Sequence, residues 1–103
     1  MISCFEGLLE LYRVTGDENC KIAALNYTNR ILGSDFTVIG SCGCTHEFLD
    51  HSTVRQAKEE TGPLMEETCV TISILKMLYQ AAKLTGAVRY VDAFEISFYN
   101  AYL

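Results

Sequence analysis

Basic residues are scarce in this sequence: eight Lys and Arg stand against thirteen Asp and Glu, for a formal net charge of -5 and a pI near 4.9. No Lys/Arg stripe runs along the chain, so neither nucleic acid nor an anionic membrane meets a basic surface. No stretch reaches the roughly 18 uncharged apolar residues that a membrane-spanning helix needs. The opening residues, Met1-Ile2-Ser3-Cys4-Phe5-Glu6, lack a basic segment followed by an apolar one, so they do not read as a secretory signal. The five cysteines are an odd number, and without a leader that favours reduced thiols in a cytoplasmic protein. There are only two histidines, His46 and His51, and a single proline, Pro63.

Apolar residues are plentiful. Half of the 103 residues are hydrophobic and 20% are charged, enough for a packed core and too apolar for wholesale disorder. A chain of this length reads as one domain and buries roughly two-thirds of its unfolded surface.

Apolar periodicity predicts an all-α chain of four helices. The first, over about residues 2–15, puts Phe5, Leu8 and Tyr12 on one stripe, flanked by Leu9 and Leu11. Gly16 ends it, and Asp17 suits the N-cap of the second, over 18–32, with Cys20, Ala24, Tyr27 and Ile31 in register. The third, over 67–85, is apolar around most of its girth except at Lys76, Gln80 and Lys83, which predicts burial on more than one side. Gly86 stops it, and a fourth over 88–102 has Val91, Phe94, Phe98 and Ala101 as its core stripe.

The two ends of the chain resemble each other. Arg13-Val14-Thr15-Gly16, followed by Ala23, matches Lys83-Leu84-Thr85-Gly86, followed by Ala93, and Leu8 matches Leu78 in the same alignment. Each half is a helix, a Thr-Gly turn and a second helix, so the unit is an αα-hairpin of a stacked array or toroid. The hairpins span 1–32 and 67–103.

Residues 33–66 lie between them. The run Asp35-Phe36-Thr37-Val38-Ile39 has β-type composition, and Gly40-Ser41-Cys42-Gly43-Cys44 asks for unusual backbone angles or a close approach. A connection this long within a compact helical chain points to function. Cys42, Cys44, His46, Glu47, His51, Glu67 and Cys69 supply thiol, imidazole and carboxylate groups of the kinds that zinc takes. Their spacing makes no zinc ribbon, and Cys42 and Cys44 read equally well as buried thiols. Glu67-Thr68-Cys69 stands where a helix starts and its amide dipoles favour anions. Two residues apart, the carboxylate and thiol share a face only if the backbone there is not regular helix. A capping carboxylate and a small core thiol explain the same pair. Glu47, between His46 and Phe48-Leu49, suits a carboxyl with a raised pKa or an ordinary surface glutamate. The histidines suit ligands, sugar contacts or solvated loop positions.

The phrase Glu67-Thr68-Cys69-Val70-Thr71, then Leu84-Thr85-Gly86 with Tyr90, Asp92 and Glu95, then Tyr99-Asn100-Ala101-Tyr102-Leu103, resembles glycoside hydrolase family 127, whose best-known members are β-L-arabinofuranosidases. Leu11 to Asp17 and Gly43 to Phe48 are similar to that family's helix and catalytic loop. The resemblance implies an (α/α)6 toroid of which this chain is part. It makes Glu67 and Cys69 zinc ligands and Glu47 the general acid/base of a retaining reaction on a carbohydrate substrate. The nucleophile it implies is a zinc-bound cysteine of an adjacent Cys-Cys pair, attacking the anomeric carbon to give a glycosyl-cysteine. No such pair occurs in the sequence, and the segment between Glu47 and Glu67 is a few residues longer than the family pattern. The chain is therefore expected to be an internal piece of a larger enzyme, inactive alone, with two of four zinc ligands and with helix faces open to flanking chain or to self-association. The competing expectation is a small non-enzymatic hairpin protein whose cysteine-rich loop holds a structural zinc or a partner.

Overall fold

A computed structural model describes residues 2–43, 53–54 and 68–102. Among the described residues four α-helices have full bounds, α1 (Ile2–Thr15), α2 (Glu18–Ser34), α3 (Thr68–Thr85) and α4 (Val88–Ile96), the last running into π-helical turns over Ser97–Tyr102, and residues 53–54 are helical as well. The chain is all helical among the described residues, with no strand. The second helix outlasts its expected end, so the connection begins after Ser34.

The β-type run is a turn. The amides of Asp35 and Phe36 both donate to the Ile31 carbonyl, at 2.8 and 3.0 Å, which winds the chain off α2. Gly40 N–H then donates to the Thr37 carbonyl at 2.9 Å, and Thr37 N–H to the Ser41 carbonyl at 3.0 Å. Val38, at the tip, is 96% exposed. β-Branched residues make a strand only against a neighbouring strand, and here the chain closes on itself instead.

The repeat is preserved in hydrogen-bonded detail. Thr15 Oγ1 donates to the Leu11 carbonyl at 2.7 Å and accepts from Asp17 N–H at 3.3 Å. Thr85 Oγ1 does the same with the Ala81 carbonyl and Ala87 N–H, at 2.7 and 3.2 Å. Gly16 and Gly86 take left-handed φ angles of 74° and 68°, which glycine adopts without strain, and donate to the carbonyls of Tyr12 and Ala82. Asp17 caps α2, its Oδ1 accepting from Asn19 N–H at 3.0 Å.

Helix α1 packs on α2 and α3, and α3 packs on α1, α4 and the π turns. Phe5 stacks on Tyr27 within the first hairpin, ring centroids 3.8 Å apart. Between hairpins, Gln80 donates to Glu10 Oε1 at 3.0 Å, and Tyr90 OH donates to Asn29 Oδ1 at 2.9 Å. The core gathers Ile2, Leu9, Ala24, Ile31, Ile74, Met77, Leu78 and Tyr90 into one cluster.

Three expected stripes shift. On α1 the fully covered line runs through Ile2 and Leu9, while Phe5, Leu8 and Tyr12 are only half-buried, because α1 serves two neighbours and its inner line falls between them. On α3 most apolar positions are buried as expected, but Ile72 and Tyr79 lie exposed beside Lys76 and Lys83. On α4, Tyr90, Ala93 and Ser97 are buried and Val91 is exposed.

The fourth helix is not α-helical to its end. It widens at Ser97, the residue against which Gly40 is lodged: a Cβ built on Gly40 would stand 2.5 Å from Ser97 N and 3.0 Å from the Ile96 carbonyl carbon. A backbone pressed against a helix at this range coincides with a change of helical register, as π turns commonly do where another segment intrudes. The cluster Gly40 to Cys44 thus contains the close approach its composition asks for, with φ 83° at Gly40 and 87° at Gly43.

Candidate functional site

The connection between the hairpins is fastened to the core at its first residues. Thr37 Oγ1 accepts from Ser41 N–H at 3.0 Å and bonds Ser41 Oγ at 2.7 Å, which closes the turn from inside. Cys42 then enters the core, fully buried, and its N–H donates to Thr71 Oγ1 on α3 at 3.3 Å. Thr71 is itself buried and stands one half-turn beyond Cys69. At the other side of the connection, Thr53 Oγ1 donates to the Ser34 carbonyl at 2.7 Å, tying residue 53 to the end of α2.

Cys69 lies in the first turn of α3, with an exposed thiol, and its carbonyl accepts from Ser73 Oγ at 2.9 Å. The helix runs from Thr68, with Cys69 as its second residue. That placement leaves Cys69 open to a ligand, and it argues against the core-thiol alternative. Glu47 and Glu67 lie outside the described residues, as do Cys44, His46 and His51. Among the described residues no three side chains of metal-ligating type gather.

Cys42 is a different kind of thiol. Burial first, and then the nearby Asp35 carboxylate, push its pKa up to about 12. A neutral thiol enclosed in the core cluster behaves as a small apolar side chain. Tyr27 is affected similarly: burial, then Asp35, raise its phenol.

Sequence reasoning passes over Thr71 and Ser97. Thr71 is visible in the sequence as a hydroxyl two residues past Cys69, on a helix expected to be buried on more than one side. Ser97 Oγ is buried with no hydrogen-bond partner, and only the approach of Gly40 explains why so small a residue stands there.

Donor chemistry decides whether zinc suits these residues. An exposed thiol at the start of α3 is a donor type that zinc accepts, as is the carboxylate of Glu67 two residues before it in sequence.

No curated protein and no solved structure matches this chain. A family model does, that of the β-L-arabinofuranosidase catalytic domain of glycoside hydrolase family 127, and it covers residues 1–103. A match that spans the whole chain, itself all helical among the described residues, places the protein: it belongs to glycoside hydrolase family 127.

Proposed function

We propose that this chain is part of the catalytic domain of a zinc-dependent retaining glycoside hydrolase acting on β-L-arabinofuranosides. The observation that carries the reading is the family match over residues 1–103. The (α/α)6 toroid belongs to this proposal, with the two hairpins as consecutive units of the ring. Stacking of α1 on α3 and the matched Thr-Gly turns support it.

Glu67 and Cys69 would hold the metal, which when bound supplies charge to keep a cysteine sulfur deprotonated. Glu47 is the proton carrier: its carboxyl gives a proton to the departing glycosidic oxygen, and its carboxylate then takes one from the incoming water. No adjacent cysteine pair occurs in these residues. The sulfur nucleophile therefore comes from elsewhere, and the isolated chain binds zinc weakly and releases no sugar.

Metal titration tests the assignment. The wild-type chain should take up zinc, and Glu67→Gln and Cys69→Ser should each weaken uptake at least tenfold, whereas Cys44→Ser should leave it unchanged. Zinc binding that depends on Cys44 and ignores Glu67 sinks the ligand assignment and revives a structural site in the loop. For the sugar, saturation-transfer NMR with a β-L-arabinofuranoside should show contact with the chain, weakened in Glu47→Gln. Absence of transfer from wild type counts against the substrate class.

A further inference from the structure

Helical hydroxyls in this chain follow one habit. Thr15, Thr28, Ser34, Ser73 and Thr85 each donate from Oγ to the carbonyl four residues back, at 2.7–2.9 Å. Ser97 departs from it. Its Oγ is buried without a partner, although the Ala93 carbonyl lies four residues back and accepts the Ser97 N–H. The departure falls where Gly40 lies against the peptide joining Ile96 to Ser97, and where α register gives way to π. Within the π turns a side chain replaces a backbone donor: Asn100 Nδ2 donates to the Ile96 carbonyl at 2.8 Å, the carbonyl that Asn100 N–H takes in an α-helix. With Gly40 seated, then, one buried hydroxyl stays unpaired and one carbonyl relies on a side-chain amide. The seated turn is covered on one side only, Gly40 and Ser41 being buried and Val38 and Ile39 exposed.

We propose that the turn over 37–41 and the end of α4 form a single two-state element. In the seated state Gly40 lies on α4, Ser97–Tyr102 is π-helical and Ser97 Oγ is unpaired. In the unseated state the turn lifts away and the segment beyond Ile96 relaxes to α register. Ser97 Oγ then donates to the Ala93 carbonyl as the other helical hydroxyls do, and Asn100 N–H takes the Ile96 carbonyl from its own side chain. A register change of one residue turns the side chains beyond Ser97 by about 100° around the axis. Phe98, which stacks on Phe94 and Tyr102, changes partners in that step. Cys42 follows Gly40 by two residues, so lifting the turn also parts its N–H from Thr71 Oγ1. The register of α4 is thereby linked to the first turns of α3, where Cys69 stands. The element does not depend on the glycosidase reading.

Relaxation dispersion of the backbone amides reads both segments at once. In wild type, the amides of Thr37, Gly40 and Cys42 and those of Ser97 to Tyr102 should exchange with one rate and one minor population. Ser97→Ala removes a bond that only the unseated state makes, and should lower that population about threefold or more. Asn100→Ala removes a bond that only the seated state makes, and should raise it by a similar factor. Ser73→Ala, at an exposed hydroxyl bonded in the ordinary way to the Cys69 carbonyl, should leave it unchanged. If Ser97 mattered only for its small size, its alanine variant would match this control. Flat profiles in wild type overturn the proposal. So do different rates in the two segments, or Ser97 and Asn100 variants that fail to move the population in opposite directions.

Discussion

At Gly40 a single hydrogen stands where any other side chain would drive a carbon into the backbone of Ser97. Its φ of 83° adds the left-handed penalty to that clash. Gly40→Ala should destabilise the fold by about 2–4 kcal/mol, checked by urea denaturation. The glycine-rich cluster is legible in the sequence as a place of unusual backbone. What it approaches is not, because Ser97 lies far along the chain and carries no mark of the encounter. Cys42 gives a second prediction. Its folded value of about 12 lies above the ordinary 9.0, so the folded chain keeps a proton that the unfolded chain gives up first. Stability should be complete below pH 9 and should fall above it, with a slope of up to about 1.4 kcal/mol per pH unit from this group. Denaturation at pH 8, 9.5 and 10.5 should show a shallower fall in Cys42→Ala, and alkylation at pH 8 should label the exposed Cys69 while sparing Cys42. An equal slope in both proteins would show that the thiol is not held neutral.

Helix boundaries follow from turn chemistry, and the sequence displays that chemistry twice. At Gly16 and Gly86 no heavy atom lies within 4 Å of where a Cβ would stand, so the cost of alanine there is conformational alone. Gly16→Ala and Gly86→Ala should therefore cost the same, about 1 kcal/mol each, and less than Gly40→Ala; thermal melts of the three variants would check the order. The choice of buried face is less legible. Periodicity locates an apolar stripe but not the neighbours that cover it. It selects Val91 on α4 over Tyr90, although Tyr90 is the residue whose hydroxyl reaches Asn29 on α2, with Arg89 donating to the same oxygen at 2.9 Å. Tyr90→Phe should cost about 1 kcal/mol, read by denaturation, since it leaves the half-buried Asn29 oxygen without that donor.

Both hairpins contribute to one core, so they should unfold together. Leu9→Ala empties a fully covered position between them and should cost about 2–5 kcal/mol. Hydrogen exchange should then speed up in α3 as much as in α1, and acceleration confined to α1 would mean that the hairpins are separate units. At this scale the all-helical class and the repeat are plain from residues such as Thr15-Gly16 and Thr85-Gly86. The candidate site is legible only through resemblance, because Glu47 lies far in sequence from Glu67 and Cys69 and spacing cannot say whether such groups converge. Of the three, Cys69 alone falls among the described residues, where it is exposed in the first turn of α3.

The bond from Cys42 to Thr71 ties the end of the turn after α2 to the first turns of α3, joining two stretches 29 residues apart in sequence by one buried hydrogen bond. Thr71→Val, nearly the same in volume, should leave the core filled yet free the Cys42 amide, read as faster hydrogen exchange at that one position.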